Sequence, residues 1–333
     1  MKDSPAIRFL VLIVGSLLLY TSGLFVVLTP LPFFSYWLQR RRFTVLVSFT
    51  VSVILIFFLY RYTLTHENQL TSFFALPGSA FLRLWGPGTV LAYALCYFSA
   101  YVAIGIVLSE AALRWEGLNK SMLCAGAAAL VATLVFVLFL YKTHGNPIPD
   151  LRTYLLSLTD QVITLQAKNK AISGEEIQFM QKHKDFLVYQ LIHLGPSFIL
   201  ISLGAVLWMN LIVIRRFFTS LAKWVDLASW KIDDRAVWGL IFLGVLYFSN
   251  LYTRSFSLVN DLVFNGLILY ATAYFFQGLA ILVFLIRQRP SFFLRATIYL
   301  LLFIFIQMAG FLVVFLGLAD LWFDFRKLRT HSS

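Results

Sequence analysis

Asn210, Asn260, Asn265 and Gln277 stand within or beside apolar runs in the second half of the chain, and Asp320, Asp324 and Arg326 close its last apolar run. An amide in an apolar solvent either bonds across to another helix or meets a ligand, and by residue type the cross-helix bond is favoured. Asp320 and Asp324 lie four residues apart, so a continuing helix puts both carboxylates on one face, where they repel mildly unless a cation sits between them. On such a helix Arg326 points almost the opposite way, and Asp320 has no basic residue three or four positions away. Its expected partner is therefore a basic residue of another segment, with Arg254 the candidate. These seven positions are candidate ligand or partner contacts, and structural pinning is the favoured role for Asp320.

Catalytic chemistry finds little else to use. The five histidines, His66, His144, His183, His193 and His331, form no HExxH and no pair at i,i+4 within an apolar run. Cys96 and Cys124 lack the spacing of a disulfide framework or a zinc site. There is no phosphate loop, no dinucleotide fingerprint and no nucleophile elbow. The chain is expected to be no enzyme, with no catalytic residue, no cofactor and no metal. Any ATP-driven work requires another subunit to hydrolyse the ATP. Glu110 and Arg114, at i,i+4, suit a helix-surface ion pair.

The elements that must position these residues are apolar helices. Of 333 residues, 60% are hydrophobic and only 13% charged, against about 45–50% and about 25% in ordinary soluble domains. Mean hydropathy is +0.82. A water-soluble fold is excluded. A span needs about 20 mostly apolar residues, because lipid satisfies no backbone polar group. Such runs cover residues 9–28, 43–60, 88–108, 121–141, 186–214, 262–286 and 292–316, with a short one at 238–251. The fold class is an all-α integral membrane protein, a polytopic helical bundle of about eight transmembrane helices. Pro30 and Pro32 are expected to break the helix into an extended stretch. Residues 73–85, too short to cross, read as a re-entrant or interfacial helix. Residues 9–28 are too long for a signal-peptide core.

Residues 142–186 are the one long polar stretch. Leu151, Leu155, Leu158, Val162 and Leu165 recur at helical spacing, and Ser173 with Glu176 makes a capping box. This predicts an amphipathic extramembrane hairpin, helical over 149–184, lying on the bilayer or the bundle mouth because the stripe has no other visible partner. Three regions follow: 1–141 with four spans, 142–186, and 187–333 with four more. The net charge of +12 fits basic loops facing anionic lipid. No basic segment alternates with stacking aromatics in a polar context, so nucleic acid is not an expected partner.

The second half, read in order, resembles a known family. Pro196 opens the fifth span, and Asn210 precedes Arg215-Arg216. A segment runs from Trp230 to Trp238, followed by Asn260, Asn265 and the stretch from Tyr274 to Ala280. Near the C-terminus comes Gly317-Leu318-Ala319-Asp320-Leu321-Trp322-Phe323-Asp324-Phe325-Arg326-Lys327. This is similar to the YybS-like family of bacterial multi-pass membrane proteins, a domain-of-unknown-function family. The resemblance implies the cytoplasmic (inner) membrane and a distant likeness to the S components of energy-coupling factor transporters and to MreD. The function it implies is a substrate-binding or transport subunit partnered by an ATPase module. The alternative is a non-catalytic scaffold or assembly factor acting with envelope-biogenesis proteins. In S components, small residues on the first helix dock to the ATPase; here the first span has Gly15, Ser16, Ser22 and Gly23 but no AxxxA.

Loops after odd-numbered spans hold thirteen Lys and Arg, against eight on the other side outside the hairpin. The positive-inside rule then puts Arg40-Arg41-Arg42 in the cytoplasm and both termini outside. Cysteines introduced singly at Ser35 and Ser332 should react with membrane-impermeant reagents from opposite faces. Labelling from one face would refute this topology.

Overall fold

The computed structural model describes residues 5–65, 79–169, 173–253 and 257–287, scattered positions between 291 and 304, and 306–326. Among them are twelve α-helices and no strand. The chain divides into two compact units: Met1–His193 with Leu203–Phe217, and Leu194–Ser202 with Phe218–Ser333.

In the first unit, α1 is Pro5–Thr21, and a 3-10 turn at Phe25–Leu28 leads into α2, Pro30–Leu38. The expected extended stretch at the two prolines is instead the start of a helix. Proline fixes φ near the helical value, and its missing N–H is one that a first turn leaves unpaired anyway. Next come α3 (Arg42–Thr65), the single turn α4 (Ser79–Leu82), α5 (Pro87–Leu113) and α6 (Leu118–His144). Of the expected re-entrant helix, residues 73–78 lie outside the described residues, and 79–85 are α4 and a 3-10 turn. Phe98 of α5 anchors an aromatic core, with ring centroids 5.1 Å from Tyr20, 5.9 Å from Phe33 and 6.1 Å from Phe49. The core thus draws α1, α2 and α3 onto one side chain. α2 approaches α5 so closely that a Cβ at Gly105 would fall on the carbonyl oxygen of Pro30.

The hairpin is α7, Ile148–Asn169, and α8, Gly174–His193. The capping box forms: Ser173 Oγ accepts from the Glu176 N–H at 3.2 Å, and Glu176 Oε2 accepts from the Ser173 N–H at 2.8 Å. The Ser173 N–H, and then its hydroxyl at 3.0 Å, donate to the Glu176 carboxyl and hold it below its ordinary range. The apolar stripe has a partner inside the hairpin, since α7 and α8 pack on each other. The buried positions are Ile163 and Val188, while Val162 and Leu165 are exposed. The inner face is thus turned by one residue from the leucine stripe. Ion pairs Arg152–Asp185 (2.9 Å) and Lys184–Asp160 (2.8 Å) tie the two helices. At the hairpin base, Trp85 Nε1 donates to Asp150 at 2.8 Å.

The expected fifth span is divided. α8 runs to His193, and α9, Gly195–Phe217, starts afresh with Pro196 in its first turn. Proline inside a continuous helix would clash with the carbonyl four residues back. The second unit adds α10 (Ala236–Thr253), α11 (Ser257–Arg287) and α12 (Ile306–Phe323). Five helices are long and apolar enough to cross a membrane, namely α3, α5, α6, α9 and α11. Ala6–Thr21, Phe25–Leu38, Ala236–Asn250 and Gly310–Phe323 are apolar but shorter.

α12 ends seven residues beyond the expected exit at 316, so Gly317 lies within it. There it presses on α11. A Cβ at Gly317 would strike the Tyr274 carbonyl, and one at Gly278 the Val313 carbonyl. Small residues allow such backbone approach where no hydrophobic effect drives helices together. Gly317→Ala and Gly278→Ala should each cost about 1–3 kcal/mol by overpacking, read as a lower melting temperature in detergent. Gly310→Ala, whose Cβ meets nothing within 4 Å, serves as the control and should melt at or above the parent. Equal melting of all three would refute the close crossing.

Candidate functional site

Four of the seven candidate residues come together in the second unit, around the end of α12. The helix stops at Phe323 because Asp324 takes φ +42°, a left-handed conformation that carboxylate and amide side chains tolerate. The chain turns back over its own last turn. The Asp324 N–H donates to the Asp320 carbonyl at 3.1 Å, and the Phe325 N–H to Asp320 Oδ1 at 3.0 Å. This reversal returns Arg326 to the face from which a continuing helix would have turned it away. Its Nη2 meets Asp320 Oδ2 at 2.6 Å. The basic partner of Asp320 is therefore Arg326; Arg254, the residue expected from the sequence, lies outside the described residues.

Both side chains of this pair are 0% exposed. Two charges withdrawn from water need every available bond to offset desolvation. Arg326 Nη1 donates to the carbonyls of Ala228 (3.0 Å) and Trp230 (2.8 Å), in the segment before α10. Gln277 of α11 completes the set. Its Nε2 donates to Asp320 Oδ2 at 3.2 Å and to the Gly317 carbonyl at 3.0 Å. Its Oε1 accepts from the Ile232 N–H at 3.0 Å. The bond to Gly317 depends on the close crossing of α11 and α12. One ion pair and one amide thus fasten α11, α12 and residues 228–232. Arg326 Nε has no partner among the described residues.

The other candidates lie apart from this cluster. Asn210, in the first unit, is 0% exposed and donates both amide hydrogens, to Val206 O and Val27 O, each at 2.7 Å. Asn250 Nδ2 donates to Asn260 Oδ1 at 2.6 Å, joining α10 to α11. Asn265 Oδ1 accepts from the Ser197 hydroxyl at 2.6 Å and from the Ser197 N–H at 3.0 Å. The first N–H groups of a helix have no intrahelical acceptor, so an amide of α11 caps the first turn of α9. Beside it runs an open groove of about 430 Å³, lined by Ser197, Gly239, Phe242, Leu243, Asn265 and Tyr270 among others, with almost wholly apolar walls.

Two features of the first unit lie outside the seven candidate positions. The Glu110–Arg114 pair forms at 2.9 Å, but the same carboxylate also takes Arg42 at 3.1 Å and Trp37 Nε1 at 2.9 Å. Tyr97 and Tyr101 join hydroxyls at 2.6 Å. The tyrosine pair has helical spacing and could have been seen, whereas Arg42 and Trp37 reach Glu110 only through tertiary packing. Among the described residues no three His, Cys, Asp or Glu converge as ion ligands.

Apolar helices of spanning length, joined by buried polar bonds, define a polytopic all-α membrane protein. The chain belongs to the family described as "Predicted membrane protein (DUF2232)", which matches residues 79–321 and includes the YybS-like proteins. No curated protein and no solved structure matches it.

Asp320→Asn leaves a buried guanidinium without its counter-charge, and Arg326→Gln leaves the carboxylate without its own. Each should cost about 3–5 kcal/mol, read as a large fall in melting temperature in detergent. Asp324→Asn, which keeps a residue suited to positive φ, should stay within about 0.5 kcal/mol of the parent.

Proposed function

We propose that this protein is a non-catalytic scaffold or assembly factor of the bacterial cytoplasmic membrane, acting through protein contacts in cell-envelope biogenesis. The observation that carries this reading is where its buried polar side chains are spent. Asn210, Gln277, Asp320 and Arg326 bond to backbone groups and to one another. Such bonds hold helices at fixed spacings, which is what a scaffold requires. The hairpin supplies a contact surface, because Val162, Leu165, Phe179 and Phe186 are exposed on helices too polar to span. The likeness to MreD implied by the sequence agrees with this role.

A second reading is a substrate-binding subunit that works with a separate ATPase, as the likeness to energy-coupling S components implies. The groove between α10 and α11, bordered by Asn265 and Tyr270, favours it by its size.

Affinity purification of the full-length protein from native membranes, followed by mass spectrometry, separates the two. The scaffold reading expects envelope-synthesis proteins. It also expects Phe179→Ser with Phe186→Ser to reduce their recovery at least tenfold, the loss of about 1.4 kcal/mol or more that interface anchors carry. Recovery of a transporter ATPase, unaffected by those substitutions, would overturn it.

A further inference from the structure

We propose that the cleft where α3, α5 and α6 meet, in the first unit, binds an anionic phospholipid. The lipid phosphate would lie among Arg42, Arg114 and Lys120, with the start of an acyl chain below. The cleft is open, with a volume of about 410 Å³. Arg42 is the first residue of α3, Arg114 directly follows α5, and Lys120 is in the first turn of α6. All three helices are of spanning length and hydropathy, so the cations stand at span ends, the level of phospholipid headgroups.

The cations are held in place before any anion arrives. Glu110 takes Arg114 through Nε (3.2 Å) and Nη2 (2.9 Å), Arg42 through Nη2 (3.1 Å), and the Trp37 indole N–H (2.9 Å). The Arg42 guanidinium also lies 5.4 Å from the centre of the Trp37 ring. One carboxylate thus fixes two guanidinium groups. Their Nη1 atoms have no partner among the described residues, and the two side chains are 58% and 64% exposed. The lining carries Arg42, Arg114 and Lys120 against Glu110 and Glu116, so positive charge remains in excess. α6 also begins there without a side-chain cap, adding the positive end of its dipole.

The deeper wall argues for a lipid over a soluble anion. Val107 and Ile106 lie about one turn into α5 from Glu110, and Cys124 one turn into α6 from Lys120; all three line the same cleft. Cations at the rim and apolar side chains one turn inward match the sequence of chemistry along a phospholipid. By the positive-inside count this rim also faces the cytoplasm, where a negative leaflet supplies such lipids.

The test uses the full-length protein, delipidated in detergent, and adds phosphatidylglycerol, phosphatidylcholine or inorganic phosphate. Bound lipid is counted by native mass spectrometry. Maleimide labelling of Cys124 is followed in a Cys96→Ala background, where Cys124 is the single thiol. Phosphatidylglycerol should bind at least tenfold better than phosphatidylcholine and slow the labelling several-fold. Arg42→Gln should abolish that preference. Lys120→Gln, which removes an exposed side chain paired with the half-buried Glu116 at 3.4 Å, should weaken it severalfold without lowering the melting temperature. Equal binding of the two lipids, or a preference that survives both substitutions, would overturn the proposal. Equal protection of Cys124 by inorganic phosphate would overturn its assignment to a lipid.

Discussion

In an apolar solvent a polar group has no partner unless the protein supplies one, and the buried contact between Asp320 and Arg326 is where this chain meets that demand most severely. Neither charge is tolerable alone. The pair persists because Gln277, the Phe325 N–H and the carbonyls of Ala228 and Trp230 supply further bonds to it. Those partners come from three stretches, so the ion pair fixes α11 and the end of α12 against the segment before α10. The helix end at Phe323 and the left-handed Asp324 follow from the same demand. A helix continued past 323 would carry Arg326 away from Asp320 and leave both charges uncompensated.

The amides obey the same constraint at lower cost. Asn265 satisfies a donor that the first turn of α9 must leave open, and Asn250 and Asn260 satisfy each other. Asn210 gives both hydrogens to carbonyls, one of them in its own helix. These bonds are each worth about a kilocalorie per mole or less in membrane bundles. Their value lies in direction, since an apolar seam can slide and an amide bonded to one carbonyl cannot.

Much of this is legible in the amino-acid sequence. Apolar runs of sufficient length predicted α3, α5, α6, α9 and α11, and the capping box at Ser173 and Glu176 marked the start of α8 within a residue. Misreadings arose where a local rule has two outcomes. Proline both ends and begins helices. At Pro30 and Pro196 it begins them, and only the packing of Pro30 against Gly105 shows the first choice. The leucine stripe of α7 has the right period, but the buried face centres on Ile163, because α8 selects which side is inward. The seven polar positions could be named from their apolar surroundings. Their partners could not, because a backbone carbonyl such as Ala228 or Gly317 carries no signature in sequence.

Asp320 and Glu110 both bind arginine, and their surroundings assign them opposite work. Asp320 and Arg326 are wholly enclosed, with no side-chain exposure to offer an incoming group. Glu110 binds two arginines and a tryptophan while leaving more than half of each guanidinium side chain accessible. A buried pair can organise its own fold but has little left for a ligand. A shared carboxylate that orients two exposed cations spends little of their binding capacity, since each guanidinium carries five donors and Glu110 accepts only a few. The first arrangement holds helices, and the second leaves charge available at the end of a span. Burial, more than residue type, therefore decides which of the charged clusters in this protein can take part in binding.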